Sequence, residues 1–176
     1  MRLGKLSPDE LRSVVFSKLT TERPEVVLAA ALGEDSAALD LSSDLCVVST
    51  DPITGASAEI GRLGVFVACN DVATNGAEPV GILITIFVPP QATLLDIGLV
   101  MDQATAAAAE VGVQIIGGHT EVTAAVNQMI ISCTVIGRVA RDKLLHNGRA
   151  KPGDALVLVG TAGLEGTAVI AWDHAD

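Results

Sequence analysis

The sequence predicts a mixed α+β domain, and three observations carry that reading. Strand-length apolar runs and helical stripes follow one another in the order α-β-β-α-β-α-β-β-β-α. They do not alternate strictly, so a mixed sheet is favoured over a doubly wound parallel one. The chain has 176 residues, enough for one domain with a real core. It is 49% hydrophobic but only 2% aromatic, with 17 glycines, which suits a compact α/β core of small aliphatic side chains and tight turns.

The elements are read in chain order. Ser7 is placed to cap a first helix, with Pro8 at its first position and Glu10 completing a capping box. Leu11, Val14, Val15 and Leu19 give that helix its apolar stripe. Residues 26–32 are apolar and end at Gly33. Residues 37–41 and 45–49 read as short strands joined by Ser42-Ser43-Asp44, and 53–57 as a small-residue loop. Residues 58–75 read as a helix facing the core through Leu63, Val67 and Ala68 and ended by Gly76. Residues 79–88 form a near-continuous apolar run, as in a strand buried on both faces, and Pro89-Pro90 stops it. An Ala-rich helix over 94–111 ends at Gly112. A strand over 113–116 leads into a Gly117-Gly118 turn, a β-branched strand follows over 128–139, and 142–153 is polar and turn-rich. Residues 155–159 read as one more strand, followed by a short helix. The stretch from about Lys151 looks like the start of a second unit.

Charge narrows the partners. The net charge is −10 and the pI about 4.6. A phosphate backbone needs basic patches, so nucleic acid is not expected as a partner. Mean hydropathy is +0.50, yet the most apolar stretch, 80–90, is far shorter than the ~20 residues of a spanning helix. No membrane association is expected. Cys46, Cys69 and Cys133 sit inside apolar runs without a CxxC, and read as buried free thiols of a cytoplasmic protein. GxxxxGK[ST], GxGxxG and GxSxG are all absent, which removes P-loop, Rossmann and nucleophile-elbow chemistry.

Four acidic clusters stand at the edges of apolar runs: Gly33-Glu34-Asp35-Ser36, Ser49-Thr50-Asp51, Asn70-Asp71 and Gly117-Gly118-His119-Thr120-Glu121. Carboxylates gathered from several segments repel one another unless a cation neutralises them. Hard oxygen ligands suit Mg²⁺, which takes one or two carboxylates and completes its shell with water and phosphate oxygens. Asp51 ends a strand, or else caps the turn before Pro52. Asp71 interrupts an apolar helix, where a charge is costly unless paired or metal-bound. Two glycines at 117–118 let backbone N–H groups approach an anion, and equally suit a plain chain reversal. His119 suits a proton donor, a phosphate contact or a satisfied loop histidine; Arg138 suits a phosphate clamp or a surface charge.

In order and spacing, five stretches resemble the AIR synthase (PurM)-like superfamily, closest to its HypE-like "AIR synthase related" branch. They are Gly33-Glu34-Asp35-Ser36-Ala37-Ala38, Ser49-Thr50-Asp51-Pro52, Asn70-Asp71-Val72-Ala73-Thr74-Asn75-Gly76-Ala77-Glu78-Pro79, Gly117-Gly118-His119-Thr120-Glu121-Val122 and Lys151-Pro152-Gly153-Asp154. The resemblance implies an N-terminal ATP-binding domain over 1–150 and the beginning of a C-terminal domain over 151–176. It implies a homodimer whose sheets join into a barrel, with ATP at the dimer interface. Asp35, Asp51 and Asp71 fall on metal-binding acids. Thr50, Gly117, Gly118, His119, Thr120 and Arg138 fall on nucleotide contacts. His119 replaces an aspartate that several branches use as a metal ligand, with Glu121 able to compensate. The implied chemistry is ATP-dependent phosphorylation of an amide or carbonyl oxygen, as in hydrogenase maturation. The alternatives are a non-catalytic dimerisation module and a small-molecule kinase of the thiamine-monophosphate kinase type. No catalytic residue is singled out.

Overall fold

The computed structural model of the chain describes residues 8, 9, 12, 26–28, 31–34, 37–40, 43–54 and 58–173. The helix expected from Ser7 to Leu19 falls almost wholly outside these residues, as does Asp35.

Six strands form one sheet: β1 (Val26–Leu28), β2 (Ala37–Asp40), β3 (Asp44–Ile53), β4 (Glu78–Val88), β5 (Gln114–Val122) and β6 (Ile130–Ala140). Their spatial order is β1-β2-β3-β6-β4-β5. All neighbours are antiparallel except β4 and β5. A parallel pair needs a long crossover, and the helix α2 (Leu94–Val111) supplies it. Two further α-helices are α1 (Ile60–Thr74) and α3 (Leu164–Asp173). This is the mixed sheet that the element order predicts.

Strand alternation sorts the side chains. Leu45, Val47 and Ser49 of β3, Ile131, Cys133 and Val135 of β6, and Ile82, Ile84, Ile86 and Val88 of β4 are buried on the face that α1 and α2 cover. Each fully buried aliphatic side chain of this kind stabilises the fold by about 1.5–3 kcal/mol. Thr50, Thr134, Leu83 and Arg138 lie on the other face, which no described helix covers.

The helices end where their sequences say. The Thr93 hydroxyl accepts from Asp96 N–H at 3.3 Å and the Asp96 carboxylate accepts from Thr93 N–H at 2.7 Å, a complete capping box for α2. The Thr93 backbone N–H first, and the Thr93 hydroxyl donating to Asp96 Oδ2 at 2.8 Å second, hold the Asp96 carboxyl below its ordinary range. Gly112 closes α2 at φ 82 and Gly76 follows α1 at φ 73, both left-handed positions suited to glycine.

Several expectations change. The core stripe of α1 is Ile60, Gly61, Gly64, Val65, Ala68, Cys69 and Val72; Leu63 and Val67 are only half-buried. Gly61 faces α2, where a Cβ would stand 2.1 Å from the Val100 carbonyl, and Gly64 faces β6, where one would stand 3.0 Å from Cys133 Sγ. β4 is not buried on both faces, since Val80 and Leu83 are 48% and 38% exposed. Among the described residues only one side of the sheet carries helices. Gly117-Gly118 is not a turn but the middle of β5, which runs on beside β4 to Val122. Residues 155–159 are not in a strand; a strand needs a neighbour to bond to, and here none of the described residues pairs with them. Cys69 and Cys133 are buried but Cys46 is only half so, because it sits on the uncovered face.

Candidate functional site

The end of β3 and the last turns of α1 meet on the covered face. Ser49 is 5% exposed, and its hydroxyl donates to Asp71 Oδ2 at 2.8 Å. Asp71 is therefore held by the sheet rather than left to swing in solvent. Asp51 follows Ser49 on the same side of β3, one pleat or about 7 Å further along. The sequence places Asp51 at a strand end, whereas β3 continues through Pro52 to Ile53. Thr50 points the opposite way and shares a 2.8 Å hydrogen bond with Thr134 of β6.

A third acidic place lies near the end of α1. Glu34 closes a turn by donating its N–H to the Ala31 carbonyl at 3.3 Å, with Gly33 at φ 84. Its side chain is only 7% exposed, and Oε1 lies 3.5 Å from His146 Nδ1. Its Oε2 is buried without a hydrogen-bond partner. Such an orphan carboxylate oxygen is costly, and a nearby cation relieves the cost. Carboxylate and hydroxyl oxygens make up this donor set, with no sulfur, so the residues fit a hard ion such as Mg²⁺. Among the described residues no three His, Cys, Asp or Glu side chains gather closely enough to hold a metal alone. Mg²⁺ tolerates that, because it keeps waters and phosphate oxygens as ligands.

The nucleotide candidates are spread across the sheet. Thr50, Thr134, Leu83 and Gly117 stand in one cross-strand row, and Asp51, Cys133, Ile84 and Gly118 in the next. Three strand spacings separate the ends of each row, about 14 Å. Gly117, Gly118, His119 and Thr120 border a shallow cleft of about 370 Å³ with Ile84, Ile86, Met101 and Ile115. A Cβ on Gly118 would stand 1.8 Å from the Ile84 carbonyl, so only glycine fits there. His119 Nε2 lies 3.8 Å from Glu121 Oε2, both exposed. Arg138 is elsewhere: it pairs with Glu78 at 3.2 Å, two residues from the end of β6. One chain thus brings Ser49 and Asp71 together, sets Asp51 one pleat from Ser49 on the same strand, and leaves Thr50, the glycine pair and Arg138 apart.

No local signal joins Glu34 to His146, because their approach spans 112 positions. Asn75, 1% exposed, was missed as a site neighbour. Its position one helical turn after Asp71 was the available signal.

The profile of the family described as "AIR synthase related protein, N-terminal domain" matches residues 33–139, more than half of the chain. The chain belongs to this family. Among AIR synthase related proteins, it is 28% identical over 172 residues to a protein named for hydrogenase expression/formation in Methanocaldococcus jannaschii, covering 95% of this chain and 51% of that one. It is 32% identical over 133 residues to the carbamoyl dehydratase HypE of Cupriavidus necator, covering 74% of this chain and 37% of that one. A crystal structure of the hydrogenase maturation protein HypE superposes with a TM-score of 0.68 at 29% identity, over 88% of this chain and 49% of that one. HypE in complex with ATP superposes at 0.59 with 28% identity, over 85% and 45%. The chain spans about half or less of the length of these relatives.

Proposed function

We propose that this chain is the Mg²⁺-dependent, ATP-binding and dimerising half of an AIR synthase/HypE-like enzyme of the cytoplasm. The enzyme would phosphorylate an amide or carbonyl oxygen for later displacement or dehydration. The observation that carries the reading is the Ser49–Asp71 bond, which ties one acid to the strand that carries another, Asp51, on a fold whose relative HypE has been solved with ATP.

Asp35, Asp51 and Asp71 would hold Mg²⁺. The ion, when bound, neutralises phosphate charge and orients the triphosphate. Ser49 keeps the Asp71 carboxylate aimed from the helix toward the strand. Gly118 lets β5 lie against the Ile84 carbonyl, and its N–H and that of Gly117 belong to a backbone without side chains to fend off phosphate. Thr50, His119, Thr120 and Arg138 complete the nucleotide contacts.

The spread of these groups favours a homodimer. The uncovered face exposes Val80, Leu83 and Ile116 at 48%, 38% and 50%, together with Thr50 and Arg138. A second copy laid on that face would bury the apolar residues and bring its own groups to Thr50. Residues 1–150 are assigned to the nucleotide-binding domain and 151–176 to the beginning of a second one. The apolar run Leu156, Val157, Leu158 and Val159, 70–103% exposed, supports that division.

Calorimetric titration of ATP with and without Mg²⁺ tests the site. Wild type should bind in a Mg²⁺-dependent manner and Asp71→Asn should lose at least tenfold in affinity while keeping its circular dichroism spectrum. Equal affinities would sink the site assignment.

A further inference from the structure

An open cavity of about 450 Å³ lies where the first turn of α1 and the first half of α2 meet the end of β4 and the start of β6. Ile60, Pro89, Leu99, Val100 and Met129 give it an apolar lining, and Glu59 and Asp96 add two carboxylates. No Lys, Arg or His lines it. Side-chain hydrogen bonds join the segments around it. Gln103 Oε1 accepts the Gly61 N–H at 3.1 Å and ties α2 to α1. Gln91 donates to the Asn127 carbonyl at 2.8 Å, and Gln128 donates to the Thr54 carbonyl, so the segments leading into α2 and β6 are fixed as well. The cavity is thus preformed, and its size is that of a small-molecule site. Asp71 lies 12 residues along α1 from Glu59, about 18 Å away. The cavity is therefore separate from the acids assigned to Mg²⁺–ATP and does not depend on that reading.

Glu59 is the unusual member of the lining. It is half-buried, and among the described residues its carboxylate has no hydrogen bond or ion pair. It is also the only described non-glycine residue at positive φ, 55. That conformation is costly for a residue with a side chain, and such outliers gather at ligand clamps. The Thr93 bonds keep Asp96 ionised. Negative charge thus stands over an apolar floor, and this combination selects its occupant. An anion would meet two carboxylates and no cation. A neutral apolar molecule would strip water from Glu59 and replace it with nothing. A metal ion would find too few oxygen atoms, since no three acids gather among the described residues. We propose that the cavity binds a small organic cation, an ammonium or amidinium group on an apolar body. The charge lies toward Glu59 and Asp96, and the body rests over Leu99 and Met129.

Benzylamine and benzamidine are the probes at neutral pH, with benzyl alcohol and benzoate as neutral and anionic controls on the same ring. Binding to the whole chain is followed by the Met129 methyl signal in NMR titrations. Both cations should shift it saturably, and neither control should. Glu59→Gln should weaken both cations roughly tenfold, as for loss of one charge-assisted hydrogen bond, with its circular dichroism spectrum unchanged. Glu59→Gly should lose binding too, yet unfold at an equal or higher denaturant concentration, because glycine adopts this φ without strain. A Met129 signal that neither cation shifts overturns the proposal. So does a shift with the same midpoint for benzyl alcohol, which would be apolar binding only, or an undiminished affinity in Glu59→Gln. A lower midpoint for Glu59→Gly would mean that the fold itself needs this side chain, and overturns the ligand role of Glu59.

Discussion

Ser49 and Asp71 show how one hydroxyl gives a carboxylate its place. Asp71 lies in a helix that is otherwise apolar on its sheet-facing side, and a 2.8 Å bond from a buried serine holds it there. Ser49→Ala should leave the acid in place but less well aimed. We expect a several-fold weaker Mg²⁺ dependence of ATP binding, smaller than the effect of Asp71→Asn and measured by the same titration. The cysteines make a second prediction at this scale. Burial raises the Cys69 thiol from its ordinary 9.0 to about 11. Burial first, and the neighbouring Cys69 second, raise Cys133 to about 12. A thiol whose pKa is higher folded than unfolded favours the folded state below pH 9. Above that the unfolded chain releases protons that the folded chain keeps, so stability falls between pH 9 and about 12. Denaturant midpoints across that range should decline, and less so in Cys133→Ala. In the native protein at pH 8 the half-buried Cys46 should react with a thiol reagent before the other two.

Elements were legible in the sequence where the signal is local. The glycine stops at 76 and 112 follow from short-range chemistry. The Gly117-Gly118 pair misled for a physical reason. Glycine marks turns and also close approaches of two backbones, and only the neighbouring strand decides between them. In β5 the neighbour is β4, with the Ile84 carbonyl in the space a Cβ would take. Gly118→Ala should therefore push β5 away and cost about 1–3 kcal/mol in backbone strain, read as a lower denaturant midpoint. ATP affinity should fall with it, whereas a turn at this position would have accepted alanine far from any strand. β4 misled in a related way: its continuous apolar run promises two covered faces, and α1 and α2 cover one.

At the scale of the whole molecule, the described residues form a sheet with helices on one side and a partly apolar face on the other. Thr50 and Gly117 share a row on that face but stand about 14 Å apart. A site that needs both is more easily completed by a second copy than by rearrangement of a bonded sheet. Sedimentation should show a dimer at micromolar concentration. Leu83→Asp, which places a charge at the centre of that face, should yield a folded monomer with weakened ATP binding. A monomeric wild type that binds Mg²⁺–ATP normally would refute the shared site.

By itself the sequence determined the elements, their mixed order, the acid-rich segments and, through their spacing, the AIR synthase related family. These depend on neighbours along the chain: period, caps, breakers and contiguous motifs. Tertiary structure alone decided which partners these segments meet. Asp71 finds Ser49 across 22 positions, Glu34 finds His146 and Gly33 finds Asn147 across 114. It also decided that the glycine pair lies in a strand and that Arg138 pairs with Glu78. Pairing, register and burial arise between segments brought together by the sheet, and no local pattern encodes which segments those are.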